Sequence, residues 1–384
     1  MTIAKPDGVV IVGSGLGGYT LARELRKLAK DLAVTIVTAD GGEAYSKPML
    51  SNALAQNKSP DQLVQKPAAA FAADLGVTIR TRTRVAAIDR ARKVLALDDG
   101  SELAYGRLVL ALGADPRPYG VAGGDAVTIA TVNDFDDYRR WRDGLANGPA
   151  RVLLIGAGLI GCEFANDLAA AGHAVTLVEP GPWPVARLLP EQIGRKLADS
   201  LAGIGVTMKL GVAVERVAPG RALLSDGADI AFDHALSAIG LVPRIALAEA
   251  AGLVIDRGIR VDRHLRTSDP AIFALGDCAA TEAGPLPFVL PLMAEARALA
   301  ATLAGTETAL VLPALPVAVK TPCLPVVVCP PPPGIAGEWT IEGEGRDLTA
   351  LFTAPDGTEL GFALSGAAVS RRQVLASRMP ALLN

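Results

Sequence analysis

Two stretches of this chain repeat one pattern: VVIVGSGLGGYTLARELRKL from Val9 and RVLLIGAGLIGCEFANDLAAAG from Arg151 each set a short apolar strand, a glycine-rich turn and a helix in series. Gly13, Gly15 and Gly18 form GxGxxG in the first, and Gly156, Gly158 and Gly161 form it in the second. The first glycine of such a trio permits the tight turn, the second lets a diphosphate approach the backbone, and the third allows close contact between strand and helix. The helix start then offers unpaired N–H groups to an anion. Each unit is followed by a second apolar strand ending in a carboxylate: Asp40 lies 22 residues beyond Gly18, and Glu179 lies 18 beyond Gly161. A carboxylate there accepts hydrogen bonds from an adenosine ribose, and Glu179 would repel a 2′-phosphate, which favours NADH over NADPH.

This repeat predicts an α/β chain with two Rossmann-like nucleotide-binding domains. Both halves continue in the same way, with a GV-initiated strand, hairpin segments marked by DDG or SDG, and an apolar strand ending in Gly113 or Gly240. A helix is expected over Asp134 to Trp141 and another over Leu292 to Leu303. Prolines from Pro313 to Pro333 then punctuate short strands of a C-terminal α+β domain, with the PPPP run as a rigid loop. The expected division is 1–115 and 241–310 for a first nucleotide domain, 116–240 for a second inserted into it, and 311–384 for the C-terminal domain.

Composition narrows the function classes. A length of 384 residues is ample for several cores, and 37 Lys plus Arg against 40 Asp plus Glu give a net charge of −3, with no general attraction to nucleic acid or anionic membrane. The four cysteines, Cys162, Cys278, Cys323 and Cys329, contain no CxxC, which argues against zinc ribbons, iron–sulfur ligation and a disulfide framework. No export signal is expected at the N-terminus, and the most apolar stretch, Ala309 to Val319, is short and broken by Pro313 and Pro316, so membrane insertion is not expected. A cytoplasmic location follows as the simplest expectation. His173, His234 and His264 have no metal-ligand spacing, so no metal site is expected.

Two dinucleotide sites in one chain imply electron traffic between cofactors, most economically from a nicotinamide to a flavin, which splits a two-electron input into single steps. Together with the fingerprints, LVLALGADP at Leu108 to Pro116 and TSDPAIFALGDCA at Thr267 to Ala279 resemble the FAD-dependent pyridine nucleotide–disulfide oxidoreductase family over essentially the whole chain. The resemblance implies an FAD domain split by an inserted NADH domain, with Asp277 against the ribityl or diphosphate part of FAD. Disulfide-reducing members carry CxxxxC or CxxC pairs; here the corresponding stretch reads AYSKPMLSNALAQNK and neither pair occurs. SKPML, GLIGCEFANDL, LGDCA, PLM and VKTP are instead similar to the electron-transferring members.

That branch implies a route from NADH through FAD to rubredoxin or a similar small iron–sulfur carrier, often serving alkane hydroxylation. It also implies Lys47 and Lys320 as cations near the flavin ring and Glu163 as the residue orienting nicotinamide against flavin. Read from the residues alone, Lys47 and Lys320 pass equally as solvated surface lysines, Glu163 as a first-turn helical glutamate and Asp277 as a helix cap. An NADH-dependent ferredoxin reductase of an oxygenase system and a redox sensor without sustained turnover are the alternatives. Lys5, Arg23, Arg26, Lys27 and Lys30 are candidate contacts for an acidic carrier.

Overall fold

The computed structural model describes residues 8–383. The first fingerprint lies in a five-stranded, all-parallel sheet ordered Ile272–Ala274, Arg107–Leu110, Val9–Val12, Val34–Val37, Thr78–Arg80. The second lies in a matching sheet ordered Ile129–Ala130, His234–Ser237, Arg151–Ile155, Ala174–Glu179, Thr207–Leu210. Val9–Val12 is buried at every position, as a strand covered on both faces must be. The duplicated hairpins are three-stranded antiparallel ribbons, Val85–Asp89, Val94–Leu97 and Glu102–Ala104 in one half and Val214–Ala218, Arg221–Leu224 and Asp229–Ala231 in the other.

The chain passes between the two sheets twice, and the two passages pair with each other. Ala114–Pro116 runs antiparallel to Leu241–Pro243, and Arg244 Nε donates to Asp115 Oδ1 at 2.7 Å beside them. Residues of the first sheet therefore come from both sides of the insertion: Ile272–Ala274 returns to form its edge beside Arg107–Leu110.

The helix expected over Asp134 to Trp141 is Phe135–Gly144, with Asp134 outside it as a capping box with Asp137. That expected over Leu292 to Leu303 begins three residues earlier, at Val289. Pro291 falls in its first turn, where no intrahelical N–H is required, so proline does not delay the start. The C-terminal residues build an antiparallel sheet ordered Val317–Val319, Val326–Cys329, Glu359–Ser365, Asp347–Thr353, Glu338–Glu344, and Pro330 to Pro333 fall in the connection between its strands. Val319, Val326 and Val328 of this sheet, with Leu324 from the turn between its strands, share one apolar core with Phe164, Leu168 and Leu197 of the second nucleotide unit. Among the described residues no helix is long and apolar enough to cross a membrane.

Candidate functional site

Both glycine turns sit where the parallel strands end, which is where an open α/β sheet binds ligands. Gly13 has φ +113°, and a Cβ there would collide with the Ala111 carbonyl; a Cβ on Gly18 would collide with the Gly13 carbonyl. Gly15, in contrast, faces open space. The second turn repeats this arrangement: Gly156 has φ +98° and is crowded by Ala238, Gly161 is pressed on the Gly156 carbonyl, and Gly158 faces open space. Crowding at the outer glycines beside space at the middle one makes a cradle shaped for a diphosphate.

The two acids occupy equivalent places. Asp40 Oδ1 accepts from Ser14 Oγ at 2.9 Å, from Thr38 Oγ1 at 2.6 Å and from Gly42 N at 2.9 Å. Glu179 accepts from Ala157 N at 2.7 Å and from Gly181 N at 2.8 Å. Each carboxylate is thus tied to the residue between the first two glycines of its own fingerprint, and the ties fix where it stands beside the cradle.

Asp277 follows Gly276 at the end of the edge strand Ile272–Ala274 and lies within the field of Lys47. Burial pushes the Asp277 carboxyl up and Lys47 offsets it; burial pushes the Lys47 ammonium down and Asp277 offsets that. Lys47 Nζ also donates to Asn133 Oδ1 at 2.8 Å, and Asn133 Nδ2 is anchored on the Ala114 carbonyl at 2.8 Å. Lys47 is thereby held by the passage between the two sheets.

Glu163 is 3% exposed, on the second fingerprint helix Leu159–Ala170. Its Oε2 accepts from Ser51 Oγ at 2.6 Å and pairs with Lys320 Nζ, while Oε1 accepts from Lys320 N at 3.0 Å. Lys320 Nζ also donates to the Pro48 carbonyl at 2.8 Å. Lys47, Glu163 and Lys320, from three parts of the chain, therefore converge on the turn at residues 47–51. Ser51, Asn133, Asn166 and Asp167 belong to this cluster and were not foreseen. The spacing of Glu163, Asn166 and Asp167 along an otherwise apolar GLIGCEFANDLAA was the available signal, since residues at i, i+3 and i+4 share a helix face.

None of the four cysteines is in a disulfide. Burial pushes the Cys278 thiol up to about 12 and raises Cys162 as well, with the charge of Glu163 adding to burial at Cys162. Neither is a ready thiolate. Among the described residues no group of His, Cys, Asp or Glu is arranged to hold a metal ion.

The family model for pyridine nucleotide-disulphide oxidoreductases matches residues 7–301. The chain belongs to that family. As a member it uses FAD and NADH, and the two cradles with their acids fit such dinucleotides. A second model, the rubredoxin binding C-terminal domain, matches residues 309–379. The chain is 45% identical over 380 residues to the rubredoxin-NAD(+) reductase of Alcanivorax borkumensis, covering 98% of this chain and 99% of the relative. It is 37% identical to the nitric oxide reductase FlRd-NAD(+) reductase of Aeromonas salmonicida, covering 97% and 96%. Among solved structures, the covalent putidaredoxin reductase–putidaredoxin complex matches with a TM-score of 0.88 and 28% identity, over 97% of this chain and 94% of that one.

Of the basic residues on and just after the first helix, Leu16–Leu28, Arg26 is engaged in holding the fold, while Arg23, Lys27 and Lys30 are exposed. Arg26 donates to the carbonyls of Leu75, Ala29, Leu32 and Gly76, Lys27 pairs with Glu24, and Arg23 lies over the Phe71 ring at 5.0 Å. Lys5 lies outside the described residues.

Proposed function

We propose that this protein carries electrons from NADH through FAD to rubredoxin or a similar small iron–sulfur carrier. The observation that carries this reading is the C-terminal domain, which matches a rubredoxin-binding family and also delivers Lys320 to the buried Glu163. Bound FAD would supply acceptance of a hydride and release of single electrons.

The first cradle, Gly13, Gly15 and Gly18 with Asp40, holds FAD, and Asp277 contacts its ribityl or diphosphate part. The second, Gly156, Gly158 and Gly161 with Glu179, holds NADH and rejects the 2′-phosphate of NADPH. Lys47 and Lys320 place positive charge beside the flavin ring, where it favours added negative charge in a water-poor site. Glu163, locked by Ser51 and Lys320, orients the nicotinamide, since hydride transfer depends on holding two rings at reacting distance. The division at 1–115, 116–240, 241–310 and 311–384 is supported by the paired passages at Ala114–Pro116 and Leu241–Pro243. A reducing compartment, the cytoplasm, suits four unpaired thiols.

Stopped-flow mixing tests the reading. NADH is expected to bleach the flavin absorption of the purified protein, and rubredoxin to restore it faster than ferredoxin does. Failure of NADH to bleach the flavin would overturn electron transfer; faster recovery with ferredoxin would replace the carrier; bleaching with slow recovery by every carrier would favour a redox sensor.

A further inference from the structure

The helix Leu159–Ala170 starts at the second fingerprint, yet its polar side chains serve other parts of the molecule. Glu163, Asn166 and Asp167 are 3%, 4% and 3% exposed. Burying such groups is costly unless they are hydrogen-bonded. Their partners come from two segments far away in sequence. Asp167 Oδ1 accepts from Ala55 N at 2.8 Å and Oδ2 from Leu54 N at 3.1 Å. Asn166 Oδ1 accepts from Cys323 N at 3.0 Å, three residues beyond Lys320. One helix face thus grips residues 51–55, just after Lys47, and residues 320–323 together.

We infer that Asp167 is a positioning residue for hydride transfer: by clamping the Leu54 and Ala55 amides to the helix that opens the NADH cradle, it holds the 47–51 turn, and with it Lys47 and Ser51, in register with Glu163 and Lys320. The inference rests on the electron-transfer reading proposed above. Asp167 acts through the loop, because both of its oxygens are occupied by backbone N–H groups and, among the described residues, it forms no ion pair. Arg142 and Lys320 supply the nearby positive charge that eases its burial, and Glu163 holds the Ser51 hydroxyl one turn back along the same helix face.

The clamp needs two acceptors on one side chain. Asparagine keeps the shape of aspartate but turns one oxygen into a donor, which would face an N–H. In the FAD-loaded Asp167→Asn protein, amide hydrogen exchange at Leu54 and Ala55 is expected to quicken about tenfold. Flavin bleaching at saturating NADH is expected to slow about tenfold, with the half-saturating NADH concentration within about twofold of the parent, since a small misplacement near the reacting groups is costly in rate. A lower melting temperature with unchanged exchange at those amides and unchanged bleaching would overturn the inference.

If Asp167→Asn does not fold, Asp167→Glu, which keeps the charge and both acceptors but shifts them by one methylene, is measured in the same way. Slower bleaching with retained NADH affinity supports the clamp, and parental rates overturn it. A parent protein whose flavin NADH does not bleach overturns the electron-transfer reading instead, and exchange at Leu54 and Ala55 then decides whether Asp167 holds the loop.

Discussion

At the scale of single residues, charge and burial set what each site group does. Glu179 uses one oxygen on the Ala157 N–H of the second glycine turn and the other on the Gly181 N–H just after its own strand, so its charge is fixed beside the cradle proposed for NADH. Glu179→Arg is expected to raise the KM for NADH by about tenfold or more, the loss of one or two charge-assisted bonds, and to narrow or invert the preference over NADPH. Steady-state kinetics with both nucleotides checks this, with flavin content measured in parallel to show that the fold is intact; an unchanged preference would assign the selection to another residue.

Glu295, 2% exposed, is a different kind of carboxyl. Burial pushes it from an ordinary 4.5 up to about 7, with the charge of Asp277 adding to the rise, while Gly276 N donates to it at 2.6 Å. An acid whose folded pKa is raised carries no penalty below its unfolded value; stability falls as pH climbs from about 4.5 and the loss is complete above about 7. Glu295→Gln keeps an acceptor for Gly276 without the charge. It is expected to stabilise the flavin-free protein by about 1–3 kcal/mol at pH 8 and by little at pH 4.5. Urea unfolding at both pH values measures it, and an equal gain at both would remove ionisation as the cause.

Among elements, the two strand–turn–helix units are equivalent in geometry but are proposed to serve different cofactors, so the same lesion in each should read out differently. A methyl on Gly18 meets the Gly13 carbonyl, and one on Gly161 meets the Gly156 carbonyl, and each would push its helix from its strand. Such overpacking costs about 1–3 kcal/mol. Gly18→Ala should therefore lower the flavin bound per chain and weaken FAD affinity roughly tenfold or more. Gly161→Ala should leave flavin content near normal and raise the KM for NADH to a similar degree. Flavin absorption per chain and NADH titration distinguish the two, and loss of flavin in both variants would contradict the separate assignments.

These elements were also the part most open to sequence reading. Strand, turn and helix follow from local apolar pattern and glycine spacing, and the ribbons from their turn residues. The helix at Phe135–Gly144 starts one residue later than expected because Asp134 serves as its cap, a matter of side-chain bonding that periodicity does not register. The partners Ser51 and Asn133 escaped because serine and asparagine in a loop carry no local pattern; only the approach of Glu163 and Lys47 gives them a role.

For the whole molecule, the C-terminal sheet is part of a core as well as a docking candidate. Its inner face packs with the second nucleotide unit, and it supplies the cation for a buried glutamate. A chain ending at residue 308 would expose that apolar face and leave Glu163 without Lys320. We expect its melting temperature to fall by roughly 10 °C or more, measured by thermal unfolding against the full chain, and its flavin reduction by NADH to slow. An unchanged melting temperature would show that the two units do not stabilise each other.

The sequence by itself determined the two cradles, their acids and the family, because those features are built from residues within a few turns of one another and their steric logic is local. It also separated electron transfer from disulfide reduction through cysteines that lack a partner at redox spacing. Only the tertiary structure decided that Lys47, Glu163 and Lys320 meet at one turn, and that Asp167 and Asn166 tie that turn to the second fingerprint helix. Those contacts join residues more than a hundred positions apart, and the cost of burying unpaired charge and unbonded amides, which no local pattern encodes, brings them together.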